Sequence, residues 1–433
     1  MSNVTRNEAV AFIQADAPTT PGGQRMDADA PDLDVFADEV RNFLEAHASR
    51  RTDTRFTWGQ GSDEVGYFGS PSPEVEAARV AEARTWQRTR YDNGFGWISG
   101  PTDYGGRGLG LLHEMVYDAV EAEYDVPNTE ALSVIGLGMI GPTILRHGTS
   151  MLRERYLPAM YSGRTIACQL FSEPGAGSDL AGLSTRAERD GDAWIVNGQK
   201  VWTSFAQHAD IGELLVRTDP SAPKHKGISA FVLDMSTPGV EVRPLRQMTG
   251  GADFNEVFLT DVRIPDDHRL GDVNGGWSVA LTTLMNERAT VGGGEASNPA
   301  IAAMDPQRLS ALLGASGRSS DALRRDLSTI IVESSAAQAF NDRLTRRLRS
   351  GDTPGPEASI AKLALAQNLN RVARFASDVL GPRMTADTGE WGTFAWTQLL
   401  LSAPALRILG GTEEIMKTIL AERVLGLPKE GAR

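Results

Sequence analysis

The chain has 433 residues, 41% hydrophobic and 23% charged, an ordinary globular composition long enough for roughly two or three units with real cores. Its net charge of -13 excludes an extended nucleic-acid surface, which needs clustered Lys and Arg, but allows a local basic patch facing an anionic substrate. Cys168 is the single cysteine, so no intrachain disulfide and no thiolate metal cluster can form, and a reducing, cytoplasmic setting is expected.

Residues 1–30 are polar and rich in Asp, Ala and Pro (Asp16-Ala17-Pro18, Asp27 to Pro31) and read as an N-terminal arm. No basic stretch leads into an apolar one, and no apolar run approaches the ~18–20 residues that span a bilayer, so no membrane span is expected. From Leu33 the spacing of Val35, Phe36, Val40, Phe43 and Leu44 predicts a helix. Glycine breaks at Tyr104-Gly105-Gly106-Arg107-Gly108 follow, then a helical stretch through Leu111, Met115, Val116, Ala119 and Val120, and another holding Ile144, Leu152 and Tyr156 before Pro158. An α-helical domain over 31–165 is expected.

Near Thr165 the period changes. Trp194-Ile195-Val196 reads as a short strand, Asn197-Gly198 as a two-residue hairpin turn, and Gln199 to Trp202 as the returning strand. Further strands are expected at Glu213–Arg217, Gly227–Leu233, Val240–Arg243 and Asn255–Arg263, giving a middle antiparallel β domain over 166–275. From Gly276 to the end the pattern is helical again, with an inter-helix loop at Gly351 to Pro356. The fold class is α+β and multidomain, with the order helices, sheet, helices. That order excludes the alternating pattern of a parallel nucleotide-binding sheet.

Two segments could carry chemistry. In Phe171-Ser172-Glu173-Pro174-Gly175-Ala176-Gly177-Ser178-Asp179 the glycines let a ligand approach the backbone, and consecutive N–H groups suit a pyrophosphate; a plain turn is the competing reading. Trp202 either stacks on a flat cofactor or belongs to the core. The six histidines (His47, His113, His147, His208, His225, His268) are scattered, without a paired spacing or a cysteine partner, so no metal site is expected. Gly106-Arg107-Gly108-Leu109-Gly110 lacks the strand–turn–helix context of a dinucleotide fingerprint, and there is no Gly-x-Ser-x-Gly elbow.

Taken jointly, these segments resemble the acyl-CoA dehydrogenase family. The run Cys168 to Thr185 is similar to its flavin and substrate loop, and Asn197 to Ser204 to the hairpin that follows. Asp103 to Gly108, Phe254 to Pro265, and Arg407-Ile408-Leu409-Gly410-Gly411-Thr412-Glu413-Glu414-Ile415 match in order, so the resemblance runs from about residue 33 to 428. It implies an N-terminal helical domain, a middle β domain and a C-terminal four-helix bundle over 276–433, with FAD as cofactor. Phe171, Ser172, Gly177 and Ser178 would contact the flavin ring and pyrophosphate, Ser178 also facing the CoA arm. Trp202 would pack on the isoalloxazine with Thr203 and Ser204 near its polar edge, and Thr412 and Glu414 would reach FAD too. Ser172 and Ser204 stand where many relatives have threonine and keep the hydroxyl.

The implied reaction removes a proton from Cα and a hydride from Cβ of an acyl thioester, giving the trans-2-enoyl product, and needs a carboxylate plus donors that polarise the thioester carbonyl. Most members carry that carboxylate directly before the Gly-Thr of the C-terminal motif; here the position is Gly410. The isovaleryl and long-chain types place it on the first helix of the C-terminal domain instead. In Leu284-Met285-Asn286-Glu287-Arg288-Ala289-Thr290, Glu287 falls at the matching position, followed by the expected Arg288. A solvated surface pair is the bland alternative, but Gly410 and the small residues Val291 to Gly294 favour Glu287 as base. Gly410 keeps a backbone N–H for the thioester carbonyl, and Arg288 would support the acyl pocket or the CoA region. Glu413 reads as a first-turn acid favoured by the helix dipole.

The resemblance also implies an acyl-CoA or acyl-carrier thioester as substrate, an electron-transfer flavoprotein as acceptor, and a homo-oligomer (dimer or tetramer) or a mixed oligomer with a homologue. The Arg-x-x-Phe-Gly signature of many relatives is missing from residues 293–330, so no cross-subunit contacts are assigned. Two alternatives stay open: a flavin oxidase or monooxygenase on the same fold, and a catalytically silent or partner-dependent subunit.

Overall fold

Asp32 opens the first helix, α1 (Leu33–His47), by accepting the Asp34 N–H at 2.9 Å. Phe36, Val40, Phe43 and Leu44 turn inward as their spacing predicts, whereas Val35 is 61% exposed. The computed structural model describes residues 30–52, 72–292, 303–318, 320–349, 355–385 and 393–429. The N-terminal arm up to residue 29, most of the 351–356 loop and Gly293-Gly294 lie outside the described residues. A second helix, α2 (Pro73–Asp92), has no counterpart in the sequence reading because it is polar almost all round, burying only Val80, Ala83, Trp86 and Gln87. Its anchor is the Gln87 amide, which donates to Gly96 O at 3.1 Å and Tyr161 O at 2.7 Å.

The glycine run before α3 (Leu111–Glu121) proves to be a packing device. A Cβ at Gly106 would sit 2.1 Å from the Gly100 carbonyl oxygen, while Arg107 pairs with Glu39 at 3.0 and 3.2 Å and lies over the Phe36 and Phe95 rings. A π-helical turn, Ser133–Ile140, leads into α4 (Gly141–His147) and α5 (Ser150–Tyr161). The stretch holding Ile144, Leu152 and Tyr156 is thus two helices, and Pro158 sits inside the second.

The sheet contains β1 (Ala167–Leu170), β2 (Arg186–Asp190), β3 (Ala193–Ser204), β4 (Ile211–Arg217), β5 (Ile228–Asp234), β6 (Val240–Leu245), β7 (Phe254–Pro265) and β8 (Arg269–Leu270). Its order is β8-β5-β4-β2-β3-β7-β6, with β1 also on β4. Most neighbours are antiparallel, but β1 and β2 both pair with β4 in parallel, with Gln169 of β1 opposite Glu213. The expected hairpin at Asn197-Gly198 is not there: β3 runs through it for 12 residues, with a register shift between Val196 and Gly198. Asn197 instead clips the neighbouring strand, donating to Asp261 Oδ1 at 3.0 Å and accepting the Asp261 N–H at 2.9 Å. A Cβ at Gly198 would meet Thr185 Oγ1 at 2.3 Å, so the glycine marks a close approach at a bulge. The real tight turn joins β2 to β3 at Gly191-Asp192, where Gly191 has φ +63°.

Contacts divide the described residues into two compact units, one covering 30–50 and 72–290 and the other covering 51–52 and 291 onward. Helix α6 (Gly276–Gly292) buries Val279 and Ala280 in the first unit's core beside Ile211, Leu215 and Ala230. The second unit holds α7 (Pro306–Ala315), α8 (Asp321–Arg349), α9 (Ala358–Leu380), α10 (Thr393–Leu406) and α11 (Glu413–Ile419), closed over Leu309, Leu312, Leu369, Val372, Phe375, Trp396 and Leu399. The N-terminal helical, middle sheet and C-terminal helical regions follow the expected order. Among the described residues no helix is long and apolar enough to cross a membrane.

Candidate active site

The chain leaves β1 into the loop Phe171–Asp179, which stays stitched to β3 because the Val201 N–H donates to Ser172 O at 2.9 Å. Glu173 and Ala176 exchange backbone hydrogen bonds of 2.9 and 3.0 Å around Pro174-Gly175. Beneath that turn lies an ion pair: the fully buried Lys200 Nζ donates to Glu173 Oε1 at 2.8 Å and to Phe171 O at 3.1 Å. Glu173 also accepts from Ser184 N (2.7 Å), Ser184 Oγ (2.8 Å) and Thr185 N (2.9 Å). Burial alone would raise this carboxyl, but Lys200 and the Thr185 and Ser184 donors outweigh it and hold it at about 2. Burial lowers the Lys200 ammonium, against the pull of Glu173.

The tip of the loop is open. No non-neighbouring atom comes within 4 Å of a Cβ built on Gly175 or Gly177, so the chain's own packing does not demand glycine there. Gly177 and Ser178 are exposed, whereas Phe171 is buried and Ser172 half-buried. The arrangement leaves backbone N–H groups at the tip accessible to an external ligand.

Trp202 lies where β3 and β7 lose register between Lys200 and Thr203. It is 58% exposed at φ 61°, touching Phe254 edge-on with ring centroids 5.9 Å apart. A bulky residue in the left-handed region is strained, and strain that presents an indole to the outside is not explained by core packing. Thr203 is buried with its hydroxyl unpaired, its carbonyl accepting Asn255 Nδ2 at 3.1 Å; Ser204 is half-buried. The loop and the tryptophan, far apart in sequence, are thus joined through β3.

Glu287 is half-buried on α6, which belongs to the same unit; the Arg288 side chain lies outside the described ones. In the second unit, Gly410 (φ 63°) and Gly411 (φ 92°) make the turn into α11, positions that favour glycine. Thr412 caps that helix by accepting the Ile415 N–H at 3.2 Å, and Glu414 is exposed. Glu413 is buried and receives Arg407 at 2.8 and 3.1 Å, which holds its carboxyl below the usual range and makes it an anchor. Lys362 of α9 donates to Leu406 O at 3.1 Å and Gly411 O at 2.6 Å, pinning the turn from behind.

Sequence reasoning missed Lys200, Glu173 and Lys362 as anchors. The available signal was a charged residue inside an otherwise apolar element, Lys200 before Val201 and Lys362 between Ala361 and Leu363.

Family models for acyl-CoA dehydrogenase match in chain order, the N-terminal domain over residues 71–164, the middle domain over 168–262 and the C-terminal domain over 274–425. Acyl-CoA dehydrogenase FadE34 of Mycobacterium tuberculosis is 40% identical over 82% of this chain, which spans only 48% of that relative's length. Acyl-CoA dehydrogenase IpdE1 of the same organism is 36% identical over 84% of this chain and 92% of its own. Among solved structures, the Tcur3481-Tcur3483 steroid ACAD superposes with a TM-score of 0.71 at 26% identity, covering 94% of this chain and 100% of that one. The chain belongs to the acyl-CoA dehydrogenase family, whose members are FAD-dependent oxidoreductases.

Proposed function

We propose that this protein oxidises an acyl-CoA thioester at Cα–Cβ to the trans-2-enoyl product, with Glu287 as the base. The observation that supports it most is the open glycine loop tied through β3 to an outward, strained Trp202, on the unit that also carries Glu287. That loop and indole suit a flavin: Phe171, Ser172, Gly177 and Ser178 would hold its ring and pyrophosphate, and Trp202 would cover the ring face, with Thr203 and Ser204 beside it. Bound FAD supplies the two-electron acceptor for the hydride leaving Cβ. Ionised Glu287 takes the Cα proton and becomes the neutral acid. Gly410 has no side chain to serve as base, which leaves the proton to Glu287. Arg288 would support the acyl pocket or the CoA region, and an electron-transfer flavoprotein would be the partner that reoxidises the enzyme.

The steroid named in the similar structure and the absence of a side chain at Gly410 favour a bulky, ring-bearing acyl group. Gly410 also supports a second reading, a silent subunit of a mixed oligomer, and the two protein names joined in the name of that structure agree with it. One experiment separates them. The purified protein is mixed anaerobically with straight, branched and steroid-bearing acyl-CoAs while the flavin band is followed. Bleaching by wild type, slowed ~10²–10⁴-fold in Glu287→Gln, is expected. Bleaching that survives the substitution removes Glu287 as base, rapid reoxidation by air points to an oxidase, and no bleaching at all supports the silent subunit.

A further inference from the structure

Glu213 is a carboxyl where the strand pattern calls for an apolar side chain. It lies in the middle of β4, 1% exposed, among Leu214, Leu215 and Val216. Its two oxygens stand 2.8 and 3.0 Å from Thr283 Oγ1 of α6. Thr283 Oγ1 is in turn 2.9 Å from Thr143 Oγ1 of α4, and Thr143 donates to Met139 O at 2.9 Å. The same Met139 carbonyl accepts Asn286 Nδ2 at 3.3 Å, from the residue directly before Glu287. Glu213, Thr283 and Thr143 are all fully buried, and all of these residues belong to the first unit.

Proton counting decides the charge state. Thr283 has one hydroxyl proton and four oxygens within reach: both of Glu213, Thr143 Oγ1, and Val279 O at 3.3 Å. An ionised Glu213 would therefore rest on a single hydroxyl donor. With a proton on Glu213, its O–H donates to Thr283, Thr283 to Thr143, and Thr143 to Met139 O. Each hydroxyl then both gives and receives. The other groups facing Glu213 are neutral: Gln169 opposite it on β1, whose buried Nε2 makes no hydrogen bond, and Val232 opposite it on β5. Among the described residues no charged side chain is set against it, and burial, only partly offset by Thr283, pushes the carboxyl up to about 8.

We propose that Glu213 is a positioning residue for the base-bearing helix: a neutral carboxyl heading a hydroxyl chain through Thr283 and Thr143 that fixes how α6 presents Glu287. Thr283 stands four residues before Glu287, one turn back on the same helix face, so a mooring at Thr283 sets both the rotation and the height of the base. Asn286 gives the mooring a second foot on Met139. Glu213 itself touches no reacting atom. The inference rests on Glu287 acting as the base.

The test compares wild type, Glu213→Gln and Glu213→Leu, each first checked for full flavin content. Gln keeps a donor toward Thr283 and cannot ionise; Leu removes the chain. In anaerobic flavin reduction, the wild-type rate is expected to fall by tenfold or more as pH rises through about 8, where Glu213 loses its proton. Glu213→Gln should lack that alkaline fall while matching wild type at neutral pH, and Glu213→Leu should lose kcat with KM little changed. Superimposable pH profiles for wild type and Glu213→Gln would overturn the proposal. An activity-free arm keeps the two readings apart. Infrared spectroscopy should show a protonated-carboxyl band at neutral pH that disappears in Glu213→Gln, and backbone amides over 283–287 should exchange faster in Glu213→Leu than in Glu213→Gln. A missing band or equal exchange sinks the mooring even if the enzyme is active. Failure of wild type to reduce with any thioester sinks the dehydrogenase reading and leaves the infrared and exchange results to decide the mooring.

Discussion

Two glycine turns in this molecule are held from behind by a buried lysine, and they are held differently. Under Phe171–Asp179, Lys200 hydrogen-bonds a carboxylate, Glu173, that also gathers Ser184 and Thr185 donors; under Gly410-Gly411, Lys362 donates to two main-chain carbonyls and acts on the Glu413 carboxylate only through its charge. The first turn is open at its tip and has no positive-φ glycine at Gly175 or Gly177; it is held by the buried charge pair together with the Glu173–Ala176 and Val201–Ser172 backbone hydrogen bonds. The second is shaped by its own backbone, with φ of 63° and 92°, and the lysine secures an existing bend. A loop with a buried ion pair beneath it should fail sharply when that pair is cut, while a loop bent by glycine should fail gradually.

The largest expected effect is therefore at Lys200. Lys200→Met strands the buried Glu173 and should cost about 3–5 kcal/mol, seen as a lower denaturation midpoint together with lost flavin retention. The same pair sets an acid limit. The Glu173 carboxyl lies at about 2 when folded against a usual 4.5, so its contribution is complete above pH 4.5 and is lost as pH falls from there toward 2. Glu173→Gln should flatten that part of the midpoint-against-pH curve; an unchanged slope would mean the pair does not hold the loop. At the other turn, Lys362→Met should cost about 2 kcal/mol in the same melting assay, the scale of losing charged hydrogen bonds. An equal loss at both sites would erase the distinction. Smallest is Trp202→Gly, which relieves a left-handed backbone. The flavin-free protein should melt unchanged or up to about 1 kcal/mol more stably, while flavin affinity falls. A clear loss of flavin-free stability would show that Trp202 is a packing residue after all.

The order helices, sheet, helices was legible from periodicity, and the strands at Glu213–Arg217 and Asn255–Arg263 lie within β4 and β7. Helix α2 was not legible, because a helix with so narrow a buried stripe carries almost no hydrophobic period. Asn197-Gly198 misled for a physical reason: the same residues that favour a tight turn also serve a bulge, and only the pairing with Asp261 and the approach of Thr185 choose between them. The Asp190-Gly191 signal, seven residues earlier, was the real turn. At the site, glycine loop and tryptophan could be named from the chain, but their anchors could not. A charged residue in a strand or helix looks alike whether it faces water or a buried partner, and Lys200, Glu213 and Lys362 all face inward.

The openness around Gly175 and Gly177 bears on how this chain can change over time. An alanine at either position would meet nothing of the protein itself, so folding exerts no pressure to keep a glycine there. Gly106 and Gly198 are the opposite case, where any added carbon collides with the chain's own backbone or side chain. A lineage that abandoned its ligand would therefore be free to drift at the loop tip while still bound to glycine at the packing sites. Packing therefore constrains Gly106 and Gly198, while at Gly175 and Gly177 any constraint would come from a ligand rather than from the fold.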